Sequence, residues 1–195
     1  LLGYEGKGSL LSYLKERGLA NNLSAGGGVN GYNFKDYNIS IQLTDLGLNN
    51  LAEVIDCAFE YISLIRDSGL NEWRYHERAA LLKVAFQYQE QVKALDLASH
   101  LSINMHHYEL ADVVYGDYRM DGLNLSETSK LLAMMVPSNM RLQLIAPELD
   151  TDQQAAWYHS PYQIRPIAKD NLARWSTPTV RPELTLPAAN PFIID

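Results

Sequence analysis

The apolar residues of this chain change their spacing sharply at Thr44, and that change requires a fold that passes from a strand directly into a helix. From Phe34 onward the period is two. Tyr37, Ile39, Ile41 and Leu43 fall on one side and Asn38, Ser40 and Gln42 on the other, as in a strand with one buried face. Beyond Thr44 the spacing is three or four: Leu48, Leu51, Ile55, Ala58, Ile62 and Ile65, with Val54 and Tyr61 widening the stripe. Asp56, Glu60, Ser63 and Asp67 make the opposite, wet stripe. The spacing predicts one long amphipathic helix, capped by Thr44, ended by Gly69 and laid on a sheet.

The remaining segments fit around this pair. Ser9 is placed to cap a short helix through Leu10, Leu11 and Leu14 that stops at Gly18. Leu19 to Ala25 reads as a strand entering a turn at Gly26-Gly27-Gly28, so the two strands form an antiparallel hairpin. Asn71 begins a second long helix that breaks near Gln89 to Val92 and resumes through Leu95 to Met105. Shorter helices are expected over Leu110 to Tyr115 and Ser126 to Met135, then a third strand over Asn139 to Ile145. The order gives an α+β fold, a mostly antiparallel sheet with long helices packed on one face, over residues 1–146.

At Pro147 the composition shifts. Seven of the eight prolines lie from there on, with Trp157 and Trp175, and proline is excluded from helix interiors and central strands. Residues 147–195 are therefore expected to be an extended Pro-rich tail with one short helix near Lys169 to Trp175. The tail is read as a linker toward the next domain of a parent protein. The chain opens Leu1-Leu2-Gly3 without an initiator Met, and it reads as a segment excised from something longer.

Composition narrows the function. Sixteen Lys and Arg against 23 Asp and Glu give a formal charge of −7 with no basic cluster, which argues against nucleic acid and anionic membrane surfaces as partners. No apolar run approaches the roughly 18 residues of a membrane span. Cys57 is the single cysteine, so an intrachain disulfide and a cysteine-rich zinc site are both excluded.

No motif supplies a catalytic centre. Gly26-Gly27-Gly28-Val29-Asn30-Gly31 has dinucleotide-like glycines, but a strand follows where the fingerprint needs a helix. In Gly6-Lys7-Gly8-Ser9 the interposed Gly8 breaks the phosphate-loop spacing, leaving a glycine-rich helix entrance. His76, His100, His106, His107 and His159 contain no pair four residues apart with a third ligand at hand, so they read as structural and no metal is expected in this chain. Asn22, Asn38 and Asn124 begin glycosylation sequons, two of them on expected strands, and read as chance matches. One binding device does emerge. With small residues beside a glycine run, the strand Leu19 to Ala25 is either an edge whose free N–H and C=O groups take an extended peptide, or a strand covered in a larger sheet.

The run Leu2-Gly3-Tyr4-Glu5-Gly6-Lys7-Gly8-Ser9-Leu10-Leu11, with Gly18-Leu19, Asn21 and Leu23-Ser24-Ala25-Gly26, resembles the insulinase or pitrilysin-type zinc metallopeptidases, the inverzincins. Glu72-Trp73, Pro137 with Asn139-Met140-Arg141, Trp157-Tyr158 with Pro161-Tyr162, and Leu186-Pro187 with Asn190 and Phe192-Ile193 extend the resemblance over essentially the whole chain. The matching part of the family is the second domain of its N-terminal half. The resemblance implies a four-domain parent that encloses peptides in a chamber and carries zinc on a His-x-x-Glu-His motif in its first domain. That motif does not occur here, so this chain is expected to hold no zinc and to be inactive alone.

The resemblance further implies a non-catalytic, substrate-anchoring role on Leu23, Ser24, Ala25, Gly26 and Gly27, with Tyr4 and Glu5 on the adjoining loop. The family has bulkier residues where Gly27-Gly28 stand here. The partners implied are peptide substrates and the other domains of the parent, with self-association of the isolated segment. An alternative is a zinc-less scaffold or binding subunit of the same fold. The compartment is left open between periplasm and cytoplasm for a bacterial chain.

Overall fold

The structure, a computed structural model, describes residues 1–193; the last two positions of the expected tail, Ile194 and Asp195, lie outside the described residues. In chain order the elements are α1 (Leu10–Glu16), β1 (Ala20–Asn30), β2 (Lys35–Leu43), α2 (Asp45–Asn49), α3 (Leu51–Ser68), α4 (Glu72–Gln87) and α5 (Ala94–Asn104). They continue with α6 (Leu125–Ala133), β3 (Gln153–Gln154), β4 (Pro161–Tyr162) and α7 (Lys169–Ser176), with 3₁₀ turns at Gly116–Tyr118 and Pro137–Asn139. The described residues form a mixed α+β chain with two small antiparallel sheets, β1–β2 and β3–β4. It divides into two compact units, Leu1–Ser68 with Lys130–Pro187, and Gly69–Ser129 with the segment from Ala188.

The first unit is built on local signals that its sequence carries plainly. Ser9 Oγ accepts the Ser12 N–H at 3.1 Å and caps α1. Gly18, at φ +68°, ends that helix in the left-handed region. Thr44 caps α2 by accepting the Gly47 N–H at 3.0 Å, and its own hydroxyl donates to the Gly18 carbonyl at 2.6 Å. The expected single helix from Thr44 to Gly69 is two, because Asn50 leaves helical geometry at ψ +36°. Its amide turns back to the Leu46 carbonyl at 2.8 Å and closes α2.

The hairpin has a longer first strand than its sequence suggests. Gly26, Gly27 and Gly28 are strand residues, not the turn, and none of them has a positive φ. The reversal lies further on, where the Gly31 N–H donates to the Phe34 carbonyl at 3.0 Å. Leu23 pairs with Ile41, Ala25 with Ile39 and Gly27 with Tyr37, with irregularities between Ala20 and Asn22 and between Gly27 and Asn30. The third strand expected over Asn139 to Ile145 is not formed: Asn139 ends the 3₁₀ turn and the residues after it lie outside any ladder, since alternation without a partner strand forms no sheet.

The core of the unit joins Leu10, Leu11 and Leu14 of α1 and Leu23 of β1 to Val54, Cys57, Tyr61, Ile62 and Ile65 of α3. The stripe of α3 expected to be wet is also occupied. Asp56 accepts the Trp175 indole N–H at 2.7 Å and Arg174 Nε at 3.0 Å, and Phe59 stacks on Trp175 with centroids 5.9 Å apart. Glu60 is buried. What covers this side is α7 and the chain after it, so the C-terminal segment through Leu184 is fastened along α3.

The second unit is looser. No residue of α4 is buried, and of α5 only Asn104 is. Phe86 meets Tyr115 edge-on and Tyr118 at a tilt, with centroids 4.8 and 5.3 Å apart. Asn104 donates to the Val113 carbonyl at 3.0 Å and to Asp117 at 2.9 Å; Asp117 also meets His100 Nε2 at 2.8 Å and the Tyr108 hydroxyl at 2.9 Å. These bonds, the Asn104 amide first, hold the Asp117 carboxyl below the ordinary aspartate range. The helix expected over Leu110 to Tyr115 is instead a run of turns leading to the 3₁₀ turn at Gly116.

Candidate functional site

The direction of the β1 main chain decides what its outer side can bind. The Leu19 carbonyl accepts from Thr44 N–H at 3.1 Å, which sets the pairing phase at the start of the hairpin. After the irregularity that places Asn22 opposite Gln42, antiparallel alternation turns Asn22, Ser24 and Gly26 toward β2. It turns Leu23, Ala25 and Gly27 outward. The Leu23 N–H indeed leaves the ladder and donates to Asn22 Oδ1 at 2.9 Å. Among the described residues β1 pairs with no strand but β2, so its outer side is an edge.

The loop before α1 runs beside that edge. A methyl group placed on Gly3 would lie 3.4 Å from the Ala25 carbonyl oxygen and 3.6 Å from its nitrogen, so the α-carbon of Gly3 rests on that peptide unit. Leu2 is buried beneath, while Tyr4 and Glu5 are exposed, with the Tyr4 phenol folded over Gly6. Gly26 and Gly27 have no atom within 4 Å of where a side chain would begin. Opposite Gly27, Tyr37 is half-exposed, and burial of the rest of its ring pushes its phenol above the ordinary range. The strand residues singled out from the sequence thus split into two sets, with Leu23, Ala25 and Gly27 facing outward and Ser24 and Gly26 committed to β2.

Sequence reasoning missed a cluster around Arg181. Its Nη1 donates to the Tyr13 hydroxyl at 3.1 Å and to Cys57 Sγ at 2.7 Å and stands 3.5 Å from Glu53 Oε1. Its Nε lies 3.3 Å from one oxygen of Glu60, and its backbone N–H donates to the other at 3.2 Å. Burial pushes the Cys57 thiol up to about 12, with Arg181 opposing, and raises the Glu60 carboxyl, again by burial first. A buried neutral thiol is a poor nucleophile. The available signal was Glu53, Cys57 and Glu60 on one face of α3, a pair of carboxylates seven residues apart that requires a cation.

Among the described residues no three His, Cys, Asp or Glu side chains converge so as to hold a metal ion, and no helix is long and apolar enough to cross a membrane. A crevice lined by Phe59, Ile62, Met135, Pro137 and Trp175 has a volume of about 40 Å³, far below that of a substrate pocket.

Residues 1–82 match the peptidase M16 inactive domain, and residues 86–195 match the middle or third domain of peptidase M16. The two matches adjoin within α4, well before the composition change at Pro147. A nardilysin-like protein of Arabidopsis thaliana is 35% identical over 200 residues, covering 99% of this chain and 20% of that protein. The insulin-degrading enzyme of Homo sapiens is 29% identical over 195 residues, and the A-factor-processing enzyme of Saccharomyces cerevisiae 31% over 197; each alignment covers 99% of this chain and 19% of the relative. A crystal structure of pitrilysin superposes with a TM-score of 0.91 at 28% identity, over 100% of this chain and 21% of that one. The chain therefore spans about a fifth of the length of the curated relatives it matches.

Proposed function

The chain belongs to the peptidase M16 family, and we propose that it is a non-catalytic, peptide-anchoring part of a zinc metalloendopeptidase that degrades peptides inside an enclosed chamber. The observation that carries this reading is the outward-facing main chain of Leu23, Ala25 and Gly27 beside the loop of Tyr4 and Glu5. An edge of this kind holds an extended peptide through backbone hydrogen bonds and so reads little of its sequence. The match to the family's inactive domain supports the division of labour.

The zinc belongs, in this reading, to parts of the parent outside this chain. Among the described residues the donor side chains do not converge on an ion, and no step of metal chemistry is assigned to them. The other domains of the parent are the natural partners of the exposed apolar residues, among them Leu95, Leu110 and Trp157. In the parent the β1–β2 ribbon extends into a larger, mostly antiparallel sheet with the long helices on one face, while residues 147–195 lead toward the next domain. The isolated chain, lacking those covers, self-associates.

The test uses the 195-residue chain. Fluorescence anisotropy with a dye-labelled, unstructured peptide is expected to report binding without hydrolysis in the presence of added zinc. Ala25→Pro, which removes an outward N–H, is expected to weaken that binding about fivefold, the share of one main-chain hydrogen bond. Hydrolysis by the pure chain, or equal binding by a folded Ala25→Pro chain, contradicts the reading. Light scattering checks the self-association.

A further inference from the structure

We propose that residues 181–186 form a strap that positions the peptide-anchoring loop, with Arg181 as its pin. The proposal rests on the peptide-anchoring reading above and concerns how that site is held.

The strap is fixed at one end and in register at the other. At Arg181 the guanidinium joins Tyr13 of α1 to Glu53, Cys57 and Glu60 of α3, and it lies over the Tyr13 ring, 5.4 Å from its centroid. Glu60 receives both the side chain and the backbone N–H of the same residue, which fixes the strap's direction as well as its position. Three residues on, Leu184 is buried in the core. Next to it, the Thr185 N–H donates to the Gly8 carbonyl at 2.8 Å, and the Thr185 carbonyl accepts from the Tyr61 hydroxyl at 3.3 Å.

Gly8 is where the strap meets the site. It stands at φ +80°, and the Thr185 hydroxyl occupies the place its side chain would take, so only glycine permits this approach. Gly8 closes the loop that carries Tyr4 and Glu5, and at the loop's other end Gly3 rests on the outward peptide of Ala25. Contacts from Arg181 through Thr185 thus reach Gly8, and the loop running back from Gly8 to Gly3 leads on to the β1 edge. Loosening the pin frees the loop, and a loop no longer held in place no longer presents Tyr4 and Glu5 beside the edge at a fixed position. Arg181 touches no peptide itself; it is a positioning residue.

The experiment measures peptide binding and amide hydrogen exchange on the same 195-residue chains, again with the dye-labelled unstructured peptide. Arg181→Met is expected to weaken binding about fivefold, the scale of coupling through a packed network. Exchange is expected to speed up over Gly3 to Ser9 while that of α4 and α5 stays unchanged. Arg181→Lys keeps the charge and is expected to recover part of the binding. Should Arg181→Met fail to fold because Glu60 is left buried without its cation, Arg181→Met combined with Glu60→Gln removes the pair together, and the same two readouts apply.

Unchanged binding and unchanged loop exchange in a folded variant overturn the strap. A wild-type chain that binds no peptide sinks the anchoring reading instead, and with it the strap's role in binding. Loop exchange still reports whether Arg181 holds the loop.

Discussion

In the first unit α1 and α3 close on each other until Leu10, Leu14, Cys57 and Tyr61 are wholly out of solvent, whereas in the second α4 buries no residue at all. The second unit carries apolar side chains enough for a core, yet Leu95, Ile103, Met105 and Leu110 face outward. Its contacts include three aromatic rings, the hydrogen bonds around Asp117, the Arg119 ion pairs with Asp112 and Asp121, and the Tyr75–Gly122 hydrogen bond. The difference teaches that burial, not apolar content, marks which part of a chain is self-sufficient. The first unit carries its own core, and the second leaves most of its apolar side chains exposed.

The contrast is open to direct challenge. Tyr61→Ala is expected to cost about 4 kcal/mol in urea denaturation, because it empties a fully buried ring site and removes the bond to Thr185. Asn104→Ala is expected to cost about 2 kcal/mol, since the buried Val113 carbonyl loses its donor and Asp117 loses its main support. Leu95→Ala, on the exposed face of α5, is expected to change stability by less than about 0.5 kcal/mol. A cost for Leu95→Ala comparable to that for Tyr61→Ala would erase the distinction between the units.

Titration separates the units at opposite ends of the pH scale. The folded chain keeps the Cys57 proton that an unfolded chain releases near 9, so stability falls as pH rises from about 9 to about 12, and the native thiol stays unreactive toward thiol reagents at mildly alkaline pH. Asp117 behaves in the reverse sense. Its depressed pKa gives the second unit stability that is present above the ordinary aspartate range and lost as pH falls through the lowered value. Chemical denaturation across both ranges checks the signs, and Cys57→Ala and Asp117→Asn each flatten one limb.

Local signals were legible in the sequence where the physics is local. Ser9, Thr44, Gly18 and Gly69 mark helix ends because their side chains or backbone angles act within one turn; Ser9, Gly18 and Gly69 act where expected, while Thr44 caps the short α2 in place of the long helix. Pairing was less legible. Asn139 to Ile145 alternates as well as Tyr37 to Leu43 does, but only the latter finds a neighbouring strand. The glycine run looked like a turn because glycine permits positive φ, yet the chain spends it in extended geometry. Asp56 and Glu60 looked wet because the residues that cover them, Trp175 and Arg181, lie more than a hundred positions away. The strand over Leu19 to Ala25 was legible in the sequence, but which of its residues face outward followed only from the pairing phase.

The measurement that bears most directly on the whole account is residue-resolved amide exchange along β1, with and without excess unstructured peptide. The account predicts that peptide slows Leu23, Ala25 and Gly27 and leaves Ser24 and Gly26, already paired to β2, as they were. Uniform slowing along the strand, or none, contradicts it.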